Sequence, residues 1–249
     1  MPDDVLLAHL AADGGVMRSV LLAAPEATVT HCPGWSVGDL IRHHGDVQRW
    51  ATTIVETGRP AEGGHVGLDD LSALARWYDD GASRLIDALA AADPARPCWT
   101  FGRPPGEAWF WTRRQALEAA IHRWDAQTAV GAADGFTAEV AAAGITEVVD
   151  DFLPRQIALG RTAALSASVV FRASDLDRRW TLPGIASSPR PAELTGPAAA
   201  LFLLLWRRID LGDPATPSPG HRRCGASSPP LGSRPDLGGA TTPTMGHGL

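Results

Sequence analysis

The chain contains no lysine: all 22 of its basic residues are arginine. With its many alanines, glycines and prolines, that bias is the signature of a GC-rich genome, a matter of origin rather than chemistry. Cysteine is also scarce. Cys32, Cys98 and Cys224 are far apart and form no CxxC pair, which argues against a disulfide framework and for a reducing, cytoplasmic setting. The opening MPDDVLLAHLAADGG lacks the basic segment of a secretory signal. The longest strongly apolar run, Ala198 to Trp206, is too short to span a bilayer, so a soluble protein is expected. Positive charge is in deficit: a net charge of −6 and a pI near 5.7 argue against a nucleic acid or an anionic membrane as the main partner.

What is present suffices for a sizeable core, with 45% apolar residues in 249. Apolar positions at helical spacing predict helices over 3–24, loosened at Gly14–Gly15, and from Ser36, a good N-cap, to about Thr57. Gly58 and Pro60 close the second helix, and a third runs over about 69–92. The Pro/Gly-rich connection 93–108 leads into a fourth helix over 109–131. Four helices in succession describe an up-and-down bundle. After Gly131 the pattern changes to a helix from Thr137 to about Ile157, strands within 164–174 and 178–185, and a helix from Pro197 to Ile209. The expected architecture is therefore α+β and mostly α: a helical bundle over 1–133, a small α+β domain over 134–211, and a tail. That tail, residues 212–249, holds almost no large apolar residue and is expected to be disordered; Cys224, His221 and His247 within it carry little weight. No sequence repeat is found. The absence of a further apolar face makes a monomer the default.

The fourth helix organises the rest. Glu118 and His122 stand four residues apart, so they project from one helix face and could grip a divalent cation if another element supplied a third ligand. Ala116, Leu117, Ala119, Ala120, Ile121 and Trp124 surround them and predict burial, and a buried carboxylate and imidazole need partners. His43 and His44 on the second helix are candidates. His43 lies two turns before Trp50 near the inward stripe, and His44 is rotated about 100° further round. An ordinary reading stands beside this one: a Glu-xxx-His pair arises by chance, and an inward histidine can be a hydrogen-bonded core residue. Trp35 and Trp111, at loop–helix junctions, could wall a ligand pocket or simply pack. Trp50 and Trp124 read as core. Asp125 reads as half of a surface ion pair, with support of a metal-ligating histidine as the alternative. Arg207 and Arg208 follow a very apolar helix, where the helix dipole alone favours them. They could also clamp a substrate carboxylate.

Three runs carry a resemblance: HCPGWSVGDLIRHHGDVQRWA (31–51), RRQALEAAIHRWDAQTAVG (113–131) and TGPAAALFLLLWRR (195–208). Together they resemble the maleylpyruvate isomerase family of mycothiol-dependent enzymes over roughly residues 5–210. The resemblance implies a DinB-like metal-binding four-helix domain joined to a small α+β domain. By position it implies zinc ligands at His43, Glu118 and His122, with His43 preferred because the family histidine follows DLxx, and a functional arginine at Arg208. Two departures stand out. Arg207 replaces a family glycine, and Leu117 replaces a histidine common before the metal-binding glutamate. The family's second domain also continues with a further strand where this chain enters its tail, so the resemblance implies an incomplete second domain. The implied activity is cis–trans isomerisation of a maleylpyruvate-like substrate, or S-transfer to an electrophile, with mycothiol activated as a thiolate on zinc. A non-catalytic DinB-like metal-binding or regulatory protein is the alternative. No nucleic-acid or membrane partner is implied.

Overall fold

A computed structural model describes residues 1–102, 104–185, 191–212 and, as backbone, 218–219. Four helices of 21 residues each come first: α1 (Asp3–Ala23), α2 (Val37–Thr57), α3 (Leu71–Ala91) and α4 (Trp109–Ala129). Ser36 starts α2 with a reciprocal capping box to Asp39, and Gly58, at φ 70°, ends it in the left-handed conformation that glycine adopts without steric cost. Asp70 caps α3 by accepting from Ala73 N. The loosening expected at Gly14–Gly15 does not occur: α1 is unbroken. Gly14 is buried against Tyr78, and packing overrides the weak helix propensity of two glycines.

Around the bundle α1 touches α3 and α4, and α2 touches the same two from the other side. Contact between successive helices α1 and α2 is slighter, and all three connections, 24–36, 58–70 and 92–108, are long. Among the described residues α1 is the one helix with the length and mean hydropathy (1.4) to cross a membrane. Here Leu6, Leu10, Met17 and Leu21 are buried in the bundle, and Asp13 and Arg18 pair with Arg123 and Asp79.

Two apolar clusters fill the bundle. One gathers Leu10, Ile54, Leu85 and Trp111; the other gathers Met17, Leu21, Leu40, Ile41 and Tyr78. Along α2 the boundary between them falls between Ile41 and Ala51, and along α4 between Ala119 and Ala126. His43, His44 and His122 lie in those gaps, so the bundle has a polar waist.

The second unit begins with α5 (Ala138–Glu147), a π turn (Val148–Phe152) and α6 (Leu153–Ala158). The single helix expected over this stretch widens one turn before Pro154, where a proline ring would crowd the preceding carbonyl. Strands β1 (Val169–Ala173) and β2 (Arg179–Leu182) pair antiparallel. A strand absent from the sequence reading, β3 (Ala192–Gly196), pairs parallel to β1, and α7 (Ala198–Leu205) follows it. A two-residue strand, β4 (Ser218–Pro219), joins β3 antiparallel and gives the order β2-β1-β3-β4. Phe171, Leu182, Leu201, Phe202 and Trp206 form the core of this unit with Ile145 and Phe152. At Gly144 the Phe202 ring would lie 2.2 Å from an added Cβ, so α5 and α7 pack in contact through that glycine. The remainder of the expected disordered tail, with His221, Cys224 and His247, lies outside the described residues.

Candidate metal centre

Helix α4 is wedged between the rest of the bundle and the second unit, and sixteen of its residues are buried. That burial explains why its sequence lacks a polar face: most of the polar side chains it carries are partnered internally, with the fully buried amide of Gln115 the exception. Glu118 and His122, one turn apart, meet His43 from α2. One nitrogen from each imidazole and one carboxylate oxygen lie within 4.8 Å of one another. Glu118 Oε1 is 3.2 Å from His122 Nε2 and 3.8 Å from His43 Nε2, and the two imidazoles stand edge to face at 5.5 Å. Glu118 and His122 are buried, and His43 is half-buried.

The electrostatics favour ligation. Burial holds both histidines below their ordinary pKa. For His43, with His122 and Arg114 adding to the effect against Asp46, the value falls to about 3; for His122 the Asp125 carboxylate opposes the shift without reversing it. Both rings are therefore neutral at pH 7, with a lone pair available. Two imidazole nitrogens and one carboxylate oxygen form a donor set that suits a tetrahedral divalent cation with a fourth position free. The residues present fit such an ion.

His44, the neighbouring candidate, is not brought into the cluster. It is fully buried, and its Nδ1 shares a 2.8 Å hydrogen bond with Tyr78 Oη. Trp35 packs against His43 with ring centroids 5.0 Å apart, so it borders the cluster. Trp111 does not. It is fully buried among Trp50, Trp99, Phe101 and Phe110, and its indole N–H donates to the Trp99 carbonyl at 2.8 Å. It is a core residue because the loop before α4 folds over the helix start rather than leaving it open.

Asp125 is not half of a surface pair. It is fully buried, accepts from His122 Nδ1 at 3.1 Å, and is gripped by Arg208 Nε and Nη2 at 2.9 and 2.6 Å. A carboxylate on the far ring nitrogen fixes the tautomer that leaves Nε2 free to ligate, and raises its basicity. Arg208 Nη1 donates to the Trp206 carbonyl at 2.8 Å. Three of the five guanidinium N–H groups are thus committed within the protein, and two remain for a ligand.

Arg207 is exposed, outside this buried network, at φ 57°. The left-handed conformation explains a glycine at this position, since an L side chain there meets its own backbone. Arg207→Gly is expected to raise stability by about 1 kcal/mol, measured by urea unfolding; a loss of stability would show that the side chain contributes contacts of its own.

Sequence reasoning missed two residues. Arg114, one turn before Glu118, is buried, contacts Glu118 Oε2 and donates from Nη1 to Glu147 Oε2 on α5 at 2.6 Å. The i, i+4 spacing of Arg114 and Glu118 was a readable signal; nothing in the sequence pointed to Glu147.

The fold and this cluster define a class: a DinB-like four-helix bundle with an interior His–Glu–His cluster, closed by a small α+β unit. Comparison with known proteins gives the family. The chain belongs to the mycothiol-dependent maleylpyruvate isomerase family: residues 7–127 match the mycothiol maleylpyruvate isomerase N-terminal domain and residues 139–223 match the corresponding C-terminal domain. A crystal structure of the mycothiol-dependent maleylpyruvate isomerase is similar at TM-score 0.59 and 15% identity, covering 84% of this chain and 90% of that one. Its histidine-to-alanine mutant is similar at TM-score 0.60 and 14% identity, with the same coverage. At that identity the likeness speaks for the fold. No curated protein matches the sequence.

Proposed function

We propose that the chain is a zinc-dependent enzyme that uses mycothiol, either to isomerise a maleylpyruvate-like cis double bond or to transfer the thiol to an electrophile. The observation that carries this reading is the buried set of two neutral imidazoles and one carboxylate, with His122 oriented from behind by Asp125. Bound zinc would supply Lewis acidity, lowering the pKa of a thiol so that it is a thiolate at neutral pH.

The protein's own described cysteines do not supply that thiol. Burial pushes the Cys32 thiol up to about 11, with Asp125 adding to the shift and Arg208 opposing it, and burial raises Cys98 as well. Both stay protonated at pH 7, which favours a thiol brought from outside over either of these two. In the isomerase reaction the thiolate sulfur bonds to one alkene carbon, and the π electrons pass to the conjugated carbonyl oxygen. Rotation about the new single bond, collapse of the enolate and departure of the thiolate then leave the trans alkene. The two remaining donors of Arg208 would hold the substrate carboxylate, Trp35 would border the site beside His43, and Arg207 would lie at its rim. We further infer that residues 1–133 and 134–211 act as two domains, the first holding the ion and the second closing over it, in a cytoplasmic monomer.

The test is turnover of zinc-loaded protein with mycothiol and either maleylpyruvate or a bimane-type alkylator. Mycothiol-dependent conversion of one electrophile supports the proposal and separates isomerase from transferase. No thiol-dependent turnover of either contradicts it.

A further inference from the structure

We infer that Arg114, anchored by Glu147, is the positioning residue that presents a single oxygen of Glu118 to the metal centre. This inference rests on the metal reading above and deepens it. The two carboxylate oxygens of Glu118 face different partners. Oε1 lies toward His122 and His43, at 3.2 and 3.8 Å, while Oε2 is in contact with the Arg114 guanidinium. Arg114 and Glu118 are adjacent turns of one helix, so their spacing is set by the backbone.

The guanidinium is in turn fixed from the second unit. Glu147, fully buried at the end of α5, accepts from Nη1 at 2.6 Å. The Phe152 ring of the π turn lies 4.7 Å from the guanidinium carbon, and the Trp206 ring at the end of α7 lies 5.6 Å away. A planar cation held by a carboxylate and two aromatic rings has little rotamer freedom, and its two terminal nitrogens each engage one acid, Nη1 on Glu147 and Nη2 on Glu118. Two residues beyond Trp206, Arg208 fixes Asp125 and through it His122. The second unit therefore orients two of the three ligands, one through each arginine.

A carboxylate with one oxygen committed to an arginine offers the ion one oxygen, which keeps positions open for a thiol. Freed of Arg114, Glu118 could offer both. Removing Arg114 also deletes a positive charge near the ion, which favours binding, while loss of orientation disfavours it. The affinity of Arg114→Met is therefore a poor readout, and its coordination number is the better one.

The experiment uses the full chain loaded with cobalt(II), whose visible absorption weakens as coordination rises from four to five, together with zinc affinity by chelator competition. Arg114→Met is expected to lose visible intensity relative to wild type. Glu147→Gln keeps Arg114 but replaces its charged anchor by a neutral acceptor that holds the guanidinium more weakly, so it is expected to bind zinc about 10-fold more weakly. It also keeps the test open should Arg114→Met fail to fold. If wild type binds one ion while Glu147→Gln and any folded Arg114→Met keep its affinity and spectrum and lose only thermal stability, the pairs are structural and the inference is overturned alone. Wild type that binds no ion overturns the metal reading and this inference together.

Discussion

Replacing Arg208 by methionine is expected to remove about 3–5 kcal/mol of stability at neutral pH, because it strands a buried carboxylate. Asp125 is fully buried, and Arg208 is its only described cationic partner that keeps its charge at pH 7. Burial pushes the Asp125 carboxyl up, and the bonds from His122 and Arg208 outweigh it, holding the group below its ordinary value. A folded pKa below the unfolded one makes the pair stabilising at neutral pH, and that contribution is lost as pH falls through the folded value. In Arg208→Met the burial remains and the cation does not, so Asp125 titrates higher and the folded variant can take up a proton. The deficit relative to wild type should therefore shrink between pH 7.5 and 5. Arg208 also holds the His122 pKa down, so in the variant His122 takes up a proton more readily and shrinks the deficit in the same direction. Urea unfolding at the two pH values measures it, and a deficit under about 1 kcal/mol or one independent of pH would mean that Asp125 has other support.

Trp111→Ala should cost a similar amount, about 3–5 kcal/mol, for an apolar reason. The ring touches four other aromatic side chains at centroid distances of 5.0–6.2 Å and is fully buried. Truncation leaves a cavity that rigid neighbours cannot fill, and it deprives the Trp99 carbonyl of its donor. For a domain of this size each kcal/mol is about 2–4 °C in melting temperature, so a drop of roughly 6–20 °C is expected by calorimetry. A drop of only a degree or two, with the wild-type value depending on added thiol, would return Trp111 to the role of pocket wall.

The cluster was legible because helix geometry is local. Glu118 and His122 share a face by spacing alone, and the apolar rhythm of α2 put His43 near the inward stripe with His44 about 100° further round. Which of the two faces α4 was not in the rhythm: both flank the waist, and Tyr78 on α3 takes His44. Partners distant in sequence were the weak point. Glu147 lies 33 residues from Arg114 and Arg208 lies 83 from Asp125, and each pairing depends on how the second unit docks against α4. Asp125 read as a surface acid for the same reason, since the element that buries it comes last in the chain. β3 was invisible because AELTG, closed in by Pro191 and Pro197, has neither the β-branched content nor the alternation of a strand; it exists because β1 offers it an edge.

The proposed chemistry depends on one ion, which His43, Glu118 and His122 would hold. The direct measurement is metal content by mass spectrometry of the purified wild-type chain and of His122→Ala, with circular dichroism to show that both are helical. One zinc per wild-type chain and essentially none in folded His122→Ala is the expected result. Wild type without stoichiometric metal, or a His122→Ala chain that keeps the wild-type zinc, would contradict it.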